Sequence, residues 1–304
     1  MEDSILKEEL AMKQIDCKSI REVMINKAKI KLDNIYNTLD RKLKLVVIQV
    51  TGDDASDIYV RNKIKTCEDL GIKCEHAKLS TSVTYDFISS LIDIYNTDPN
   101  VDGIILQLPL PNHLKQYQHD LLNKICCIKD VDGLTDANVA RLWTGQYGIR
   151  PATAEAVMQL LPDDLSGKSA LILGRSDLVG KPLIKMLMDR NATISVCHSK
   201  TTYNTINSLM NDSDIVISAV GKPRFLRAIP YLDSNKVTFI DVGINRDENG
   251  KICGDIWISH HYGTNCEYTP VPGGVGILTT AQIPLNLIKC YEFGKLADIT
   301  YSIN

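Results

Sequence analysis

The stretch from Ser169 to Pro182, Ser-Ala-Leu-Ile-Leu-Gly-Arg-Ser-Asp-Leu-Val-Gly-Lys-Pro, constrains this chain more than any other. The apolar run Ser169–Leu173 reads as a buried strand. Gly174 then frees the backbone to turn, and Gly180 lets a helix pack closely on that strand. Leu178, Leu183, Met186 and Leu187 follow at helical spacing. A strand, a glycine turn and a helix N-terminus make an anion site, because unpaired backbone N–H groups and the helix dipole converge there. In a βαβ unit the usual occupant is a dinucleotide pyrophosphate. The spacing is Gly-x5-Gly instead of Gly-x-Gly-x-x-Gly, so these residues alone also fit a tight turn with no ligand.

The next apolar run, Ala192–Cys197, is spaced as the following strand of a Rossmann unit. A site that prefers NAD places Asp or Glu near the end of that strand, on the ribose 2′-hydroxyl. Here the residues are His198-Ser199-Lys200-Thr201, with Arg175 in the glycine loop. A hydroxyl and two cations with no carboxylate suit a 2′-phosphate, which favours NADP. A solvated basic turn is the plain alternative.

At 304 residues the chain has room for two domains. Its formal charge of −3 argues against general nucleic-acid binding. No apolar run approaches the roughly 20 residues of a membrane span, and Met1-Glu2-Asp3-Ser4 does not open a signal peptide. The nine cysteines are scattered, without a Cys-x-x-Cys pair, and Cys126 and Cys127 are adjacent. That usage reads as reduced thiols in a cytoplasmic protein. No metal pattern and no Ser/His/Asp nucleophile motif is present.

Strand and helix patterns alternate along the first half. A helix over 19–39 has Ser19 as its expected N-cap and Ile20, Val23, Met24, Ala28 and Leu32 at helical spacing. Strands are expected at Leu43–Val50, Ile72–Leu79 and Val101–Leu108, and helices from Ser56 to Leu70, with Gly71 as the stop, and over Thr84–Tyr95. Helices are plausible over 113–125 and 135–143. The turn Thr51-Gly52-Asp53-Asp54 follows the first of those strands. Pro151 marks a boundary, Thr153–Leu161 reads as a connecting helix, and strands recur near 169–173, 193–197, 215–220 and 237–242. Thr269–Gly276 is a Pro/Gly loop, and a last helix over about 279–293 is expected to pack back on the first domain. The fold class is therefore α/β with largely parallel sheets.

Tyr59 and Lys63 are four apart on an expected helix and share a face. The N-terminal end of that helix lies at the sheet's carboxyl edge, where α/β proteins bind ligands. A lysine beside a phenol can move protons when desolvation and nearby cations, here Arg61 and Lys65, favour the neutral amine. A partly exposed helix face is the simpler reading of the pair. Gln107 ends a strand that Pro109 and Pro111 cannot continue. Lys129-Asp130-Val131-Asp132-Gly133 brings carboxylates into a tight turn, for which a surface turn is the plain reading. Together a lysine, a phenol, an amide and a carboxylate on one rim could bind a polar heterocycle.

Five segments occur in one order: Ile58-Tyr59-Val60-Arg61-Asn62-Lys63, Gln107-Leu108-Pro109-Leu110-Pro111, Lys129-Asp130-Val131-Asp132-Gly133, Gly174-Arg175-Ser176, and Pro270-Val271-Pro272-Gly273-Gly274-Val275-Gly276. In these the chain resembles the bifunctional methylenetetrahydrofolate dehydrogenase / methenyltetrahydrofolate cyclohydrolase family, from about residue 5 to 295. The resemblance implies two α/β domains around a cleft, the second a Rossmann-type doubly wound parallel sheet. It implies a catalytic, folate-binding domain over 1–150 completed by a C-terminal helix over 279–304, an NADP-binding domain over 151–278, and a homodimer. It implies oxidation of 5,10-methylenetetrahydrofolate by NADP and hydrolysis of the methenyl product to 10-formyltetrahydrofolate. By the family pattern Lys63 is the key catalytic group, Tyr59 orients the pterin-like ring, Gln107 tunes Lys63, and Asp132 holds the pterin's amino group. Pro272, Gly273 and Gly276 fall with the substrate. Thr153, Gly174, Arg175, Ser176, Ser199, Ile244 and Thr279 fall with the cofactor.

Three departures stand out. The family's Pro-Cys-Thr-Pro is Pro151-Ala152-Thr153-Ala154, its Gly-Pro is Gly276-Ile277, and a proline common before Tyr59 is missing from Gly52–Ser56. The first two flank the expected cofactor–substrate junction and bear on the dehydrogenase step. A two-domain NADP dehydrogenase of the shikimate or amino-acid type would share the architecture without needing the Gln107 motif. A dinucleotide-sensing protein would bind NADP without turnover.

Overall fold

The computed structural model describes residues 12–51, 54–228, 236–258 and 266–302. The Gly52-Asp53 turn and the first residues of the chain lie outside them. Chain contacts divide the protein into two compact units, one of Met1–Glu22 with Thr153–Thr279, the other of Val23–Ala152 with Thr280–Asn304. The first boundary differs from the expected 1–150. Lys13–Gln14 forms a strand that pairs in parallel with Glu267–Tyr268, so backbone hydrogen bonds tie the N-terminal segment to the later part of the chain.

In the unit built on Val23–Ala152, three parallel strands are ordered Lys73–Leu79, Lys44–Val50, Gly103–Leu106. The central strand is nearly all apolar because it is covered on both faces. After Lys44 at its start, its polar residue is Gln49, which is 1% exposed and satisfied by Asp57 at 2.7 Å and His76 at 2.8 Å. Val46, Ile48, Ile104 and Leu106 pack with Ile88 and Ile92 of the Tyr85–Thr97 helix. A parallel bridge between Ile104 and Asp130 continues the sheet, with Ile104 N–H donating to the Lys129 carbonyl at 2.7 Å. The turn after it therefore ends at the same carboxyl edge as Gln107.

Two expectations for the first long helix do not hold. It spans Cys17–Tyr36, and its cap is Asp16, whose carboxylate accepts from the N–H of Lys18 and Ser19 and from the Ser19 hydroxyl. Val23 is 67% exposed, whereas Met24, Ala28 and Leu32 form the buried stripe.

The other unit holds six parallel strands in the order Lys13–Gln14, Glu267–Tyr268, Thr238–Asp241, Ile215–Ser218, Ser169–Leu173, Thr193–Cys197. Successive strands leave Ser169–Leu173 on opposite sides, and this reversal of strand order is where α/β sheets bind ligands. Gly174 sits at that point with φ +119°, its Cα against the Ala219 carbonyl. A Cβ on Gly180 would overlap the Gly174 carbonyl oxygen, so the Gly180–Met188 helix meets the turn only because both residues are glycine. The last helix runs Val275–Ser302, starting before the expected residue 279, and from Thr280 it belongs with the three-stranded unit.

Candidate active site

Lys63 lies on the Asp54–Glu68 helix and is 3% exposed. Burial of a lysine to this degree demands partners. Its Nζ donates to Gln107 Oε1 at 3.2 Å, stands 3.6 Å from Asp132 Oδ1, and lies 4.9 Å from the centre of the Tyr59 ring. The helix supplies the i,i+4 pair, the strand end supplies the amide, and the bridged turn supplies the carboxylate. Gln107 is fixed in turn, its Nε2 donating to the Leu108 carbonyl at 2.6 Å. Arg61 and Lys65, read from sequence as cationic neighbours, are both exposed, and what faces the amine is an amide oxygen and a carboxylate.

The two acids of the turn divide their roles. Asp130 is 2% exposed and accepts from Thr135 N–H at 2.8 Å and Asn138 Nδ2 at 3.0 Å. Burial pushes its carboxyl above the usual range against those hydrogen bonds. Asp132, with a side chain 20% exposed, faces Lys63. Asn286, fully buried on the last helix, donates to the carbonyls of Val131 at 2.8 Å and Arg150 at 3.0 Å and so clamps the turn from behind. Gln282 Nε2 donates to Asn286 Oδ1 and orients that amide. Neither amide belongs to a recognisable motif; only the fold brings them to residue 131.

In the six-stranded unit, Gly174, Arg175 and Ser176 occupy the turn at the sheet's carboxyl edge, with Arg175 and Ser176 exposed. Ser176 Oγ accepts from Val179 N–H at 3.2 Å, shaping the entry to the helix. Ser199 and Lys200 are exposed in the turn after Thr193–Cys197, which Thr201 closes by accepting from His198 N–H at 3.0 Å. Between Cys197 and Tyr203 there is no carboxylate. A glycine-lined turn, a helix N-terminus and exposed cations with hydroxyls fit a phosphorylated dinucleotide. Ile244 is 59% exposed, and the Cα side of Gly276 faces its Cδ1, so these two are neighbours. Gly273 has φ +98° beside Pro272. Thr153 is half-buried near the start of the Ala152–Met158 helix. Thr279 is 3% exposed and its hydroxyl donates to the Val275 carbonyl at 3.1 Å, which leaves little of it at the surface.

A buried acidic pair went unread in the sequence. Asp255 is fully buried and accepts from Ser218 Oγ, from the N–H groups of Val220, Gly221 and Lys222, and from Asn245 Nδ2. It draws the backbone away from the ladder, and the strand expected to reach residue 220 stops at Ser218. Asp241 accepts from the N–H groups of Gly243, Asp255 and Ile256. Burial, with the neighbouring Asp255 carboxylate adding to it, pushes the Asp241 carboxyl up to about 6 in spite of those donors. A Cβ on Gly243 or Gly254 would collide with one of these carboxylates, so the local signal was a glycine within two residues of each acid, in Asp241-Val242-Gly243 and Gly254-Asp255.

The chain matches the tetrahydrofolate dehydrogenase/cyclohydrolase catalytic domain over residues 15–132 and the NAD(P)-binding domain of the same family over 151–295. It is 42% identical over 249 residues to the bifunctional protein FolD of Campylobacter hominis, covering 81% of this chain and 85% of that one. The bifunctional methylenetetrahydrofolate dehydrogenase/cyclohydrolase of Campylobacter jejuni superposes with a TM-score of 0.83 at 36% identity, covering 93% and 99% of the two chains. The Trypanosoma brucei enzyme, solved with NADP cofactor and an inhibitor, gives 0.84 at 28% identity, covering 93% and 98%. With both domain models matched and relatives of this identity along most of its length, the chain belongs to the tetrahydrofolate dehydrogenase/cyclohydrolase family.

Proposed function

We propose that the protein oxidises 5,10-methylenetetrahydrofolate with NADP to the methenyl compound and hydrolyses that to 10-formyltetrahydrofolate. The observation that carries this reading is the buried Lys63 amine, set between the Gln107 amide oxygen and the Asp132 carboxylate beside the Tyr59 ring. Tyr59 offers a face for a flat heterocycle, and Asp132 an acceptor for its amino group. Water attack on the methenyl carbon needs a proton acceptor, a role that falls to Lys63 or a water bound to it, with Gln107 aiming the Nζ. Hydride transfer asks for orientation and no proton acceptor.

NADP, when bound, supplies the hydride acceptor. Gly174, Ser176 and the helix N-terminus hold its pyrophosphate, Arg175 and Ser199 its 2′-phosphate, and Ile244, Thr153 and Thr279 its remaining contacts. Pro272, Gly273 and Gly276 serve the folate. The folate-binding domain is then the three-stranded unit and the NADP-binding domain the six-stranded one. A homodimer formed through the latter and a cytoplasmic setting complete the reading; all nine cysteines are unbridged, which suits a reducing compartment. No helix among the described residues is long and apolar enough to cross a membrane.

Purified protein with methylenetetrahydrofolate and NADP should produce NADPH, with methenyltetrahydrofolate absorbance that rises and then decays. Binding of NADP with no NADPH formed would replace this reading with a dinucleotide-binding role.

A further inference from the structure

The reversal of strand order around Ser169–Leu173 has two sides. With a 2′-phosphate at Arg175 and Ser199, the adenosine half of a dinucleotide lies on the side of the Thr193–Cys197 strand. Its pyrophosphate sits on the Gly174 turn, so the nicotinamide half crosses to the other side, over the ends of Ile215–Ser218 and Thr238–Asp241. The loops that leave those ends, residues 219–222 and 242–245, wall that half of the site. The Ala219 carbonyl already borders the glycine turn, for it is the nearest atom to a Cβ built on Gly174. One carboxylate holds both loops. Asp255 is fully buried. Its Oδ2 accepts from Ser218 Oγ at 3.0 Å, Val220 N–H at 2.6 Å and Gly221 N–H at 3.2 Å, and its Oδ1 from Lys222 N–H at 3.0 Å and Asn245 Nδ2 at 2.8 Å. Asp241 braces the clamp, its Oδ1 accepting from the N–H groups of Asp255 at 3.0 Å and Gly243 at 2.9 Å. None of the five donors to Asp255 comes from the interior of the six-stranded sheet; they come from the end of one strand and from the segments that wall the site.

We propose that Asp255 is a positioning residue for the nicotinamide half of the cofactor, fixing residues 219–222 and Ile244 against each other so that the ring has a single seat. This role rests on the NADP reading above and needs nothing of the folate assignment. Gly221, at φ +67°, lets three successive N–H groups converge, and such a concavity binds an anion. Here the anion is the protein's own carboxylate. The loop therefore cannot offer those N–H groups to a phosphate, and the pyrophosphate has only the glycine turn to settle on. Bonds to a buried carboxylate are stronger than neutral ones, so the loop is set before the ligand arrives. Hydride transfer depends on that kind of preset orientation. An amide cannot replace the carboxylate. Asn offers one acceptor oxygen, and its NH2 would face either the Val220 and Gly221 donors or those of Lys222 and Asn245.

Calorimetry with two probes, NADP and adenosine 2′,5′-bisphosphate, tests this, since the second probe is the adenosine half alone. Asp255→Asn should bind NADP several-fold more weakly and the bisphosphate as the parent does. Asn245→Ala, at a half-buried position, removes one donor and keeps the carboxylate; it should show the same pattern to a smaller degree. It carries the test alone if Asp255→Asn is not recovered as folded protein. Arg175→Ala is the contrast and should weaken both probes together. Equal losses of both probes in the Asp255 and Asn245 variants would make Asp255 a brace of the whole unit and overturn the proposal. NADP affinity at the parent's level in either variant would also overturn it. A parent chain that fails to bind NADP would overturn the cofactor reading and this role with it. The expected binding pattern in a chain without folate-dependent NADPH formation would overturn the folate reading and keep Asp255 in its role.

Discussion

At the scale of single residues, Lys63 separates the two reactions. Lys63→Met keeps most of the apolar stem and removes the amine, so it should abolish hydrolysis of the methenyl compound and leave some hydride transfer. Methenyltetrahydrofolate should then accumulate beside NADPH in simultaneous absorbance traces. Arg61→Met, a change at an exposed cation on the same helix, should do much less. Hydrolysis near the parent rate in Lys63→Met would make Lys63 a structural lysine. Arg175 tests the other ligand: losing one charge-assisted contact costs about 1.5–3 kcal/mol, or roughly 10- to 150-fold in affinity. Arg175→Ala should therefore weaken NADP far more than NAD in calorimetry, and equal losses would remove Arg175 from the 2′-phosphate. The residues of the Lys63 cluster could be named from sequence because each has unusual chemistry for its expected position. Their partners could not, since Asn286 and Asn138 are ordinary amides until the fold sets them against residues 130 and 131.

At the scale of elements, the join between the Ser169–Leu173 strand and the Gly180–Met188 helix depends on two missing Cβ atoms. Gly180→Ala would drive a methyl into the Gly174 carbonyl and to 2.8 Å from the Arg175 Cα. Backbone cannot yield as a flexible side chain can, so the change should cost on the order of 1–3 kcal/mol. It should also widen the phosphate turn and weaken NADP binding. Gly167→Ala is the contrast: that glycine has φ +74° and open space, so it carries a backbone penalty of about 1 kcal/mol or more and no clash at the turn. Urea melts and NADP titrations of both variants decide it, and unchanged NADP affinity in Gly180→Ala would show that the turn tolerates the shift. Element boundaries moved where a side chain intervened. Asp16 started a helix three residues ahead of Ser19, and Asp255 ended a strand at Ser218.

For the whole molecule, the pH dependence of stability should carry the mark of Asp241. Its folded pKa, about 6, lies above the ordinary 3.8. The stabilisation from this group is therefore full below the unfolded pKa and is lost as pH rises through about 6. A shift of this size corresponds to a swing on the order of 3 kcal/mol, complete by about pH 7. Asp241→Asn cannot titrate there. The difference in unfolding free energy between parent and variant should fall between about pH 4 and 7 and then level off. Asn also disturbs three N–H contacts, which adds a constant offset, so the slope is the measurement. Parallel curves would mean that the three donors outweigh burial at this carboxylate.

What the sequence determined by itself is local and periodic. Apolar runs of strand length alternated with helical spacing, and those patterns depend only on which face of an element meets water. They were enough for an α/β chain of two parts. The ordered motifs were enough for its family, because a glycine turn, a lysine–tyrosine helix and a Pro/Gly loop each impose their own residue types. Tertiary structure decided where the N-terminus went: two residues, Lys13 and Gln14, joined the six-stranded sheet through backbone hydrogen bonds that no side-chain pattern announces. It also decided which of two neighbouring acids would face Lys63. Asp130 and Asp132 both stand on one short turn, and the bridge to Ile104 turned the first toward Thr135 and Asn138 and left the second for the amine. Spacing can bring two carboxylates into one turn, but only the strand beside them selects which one is buried.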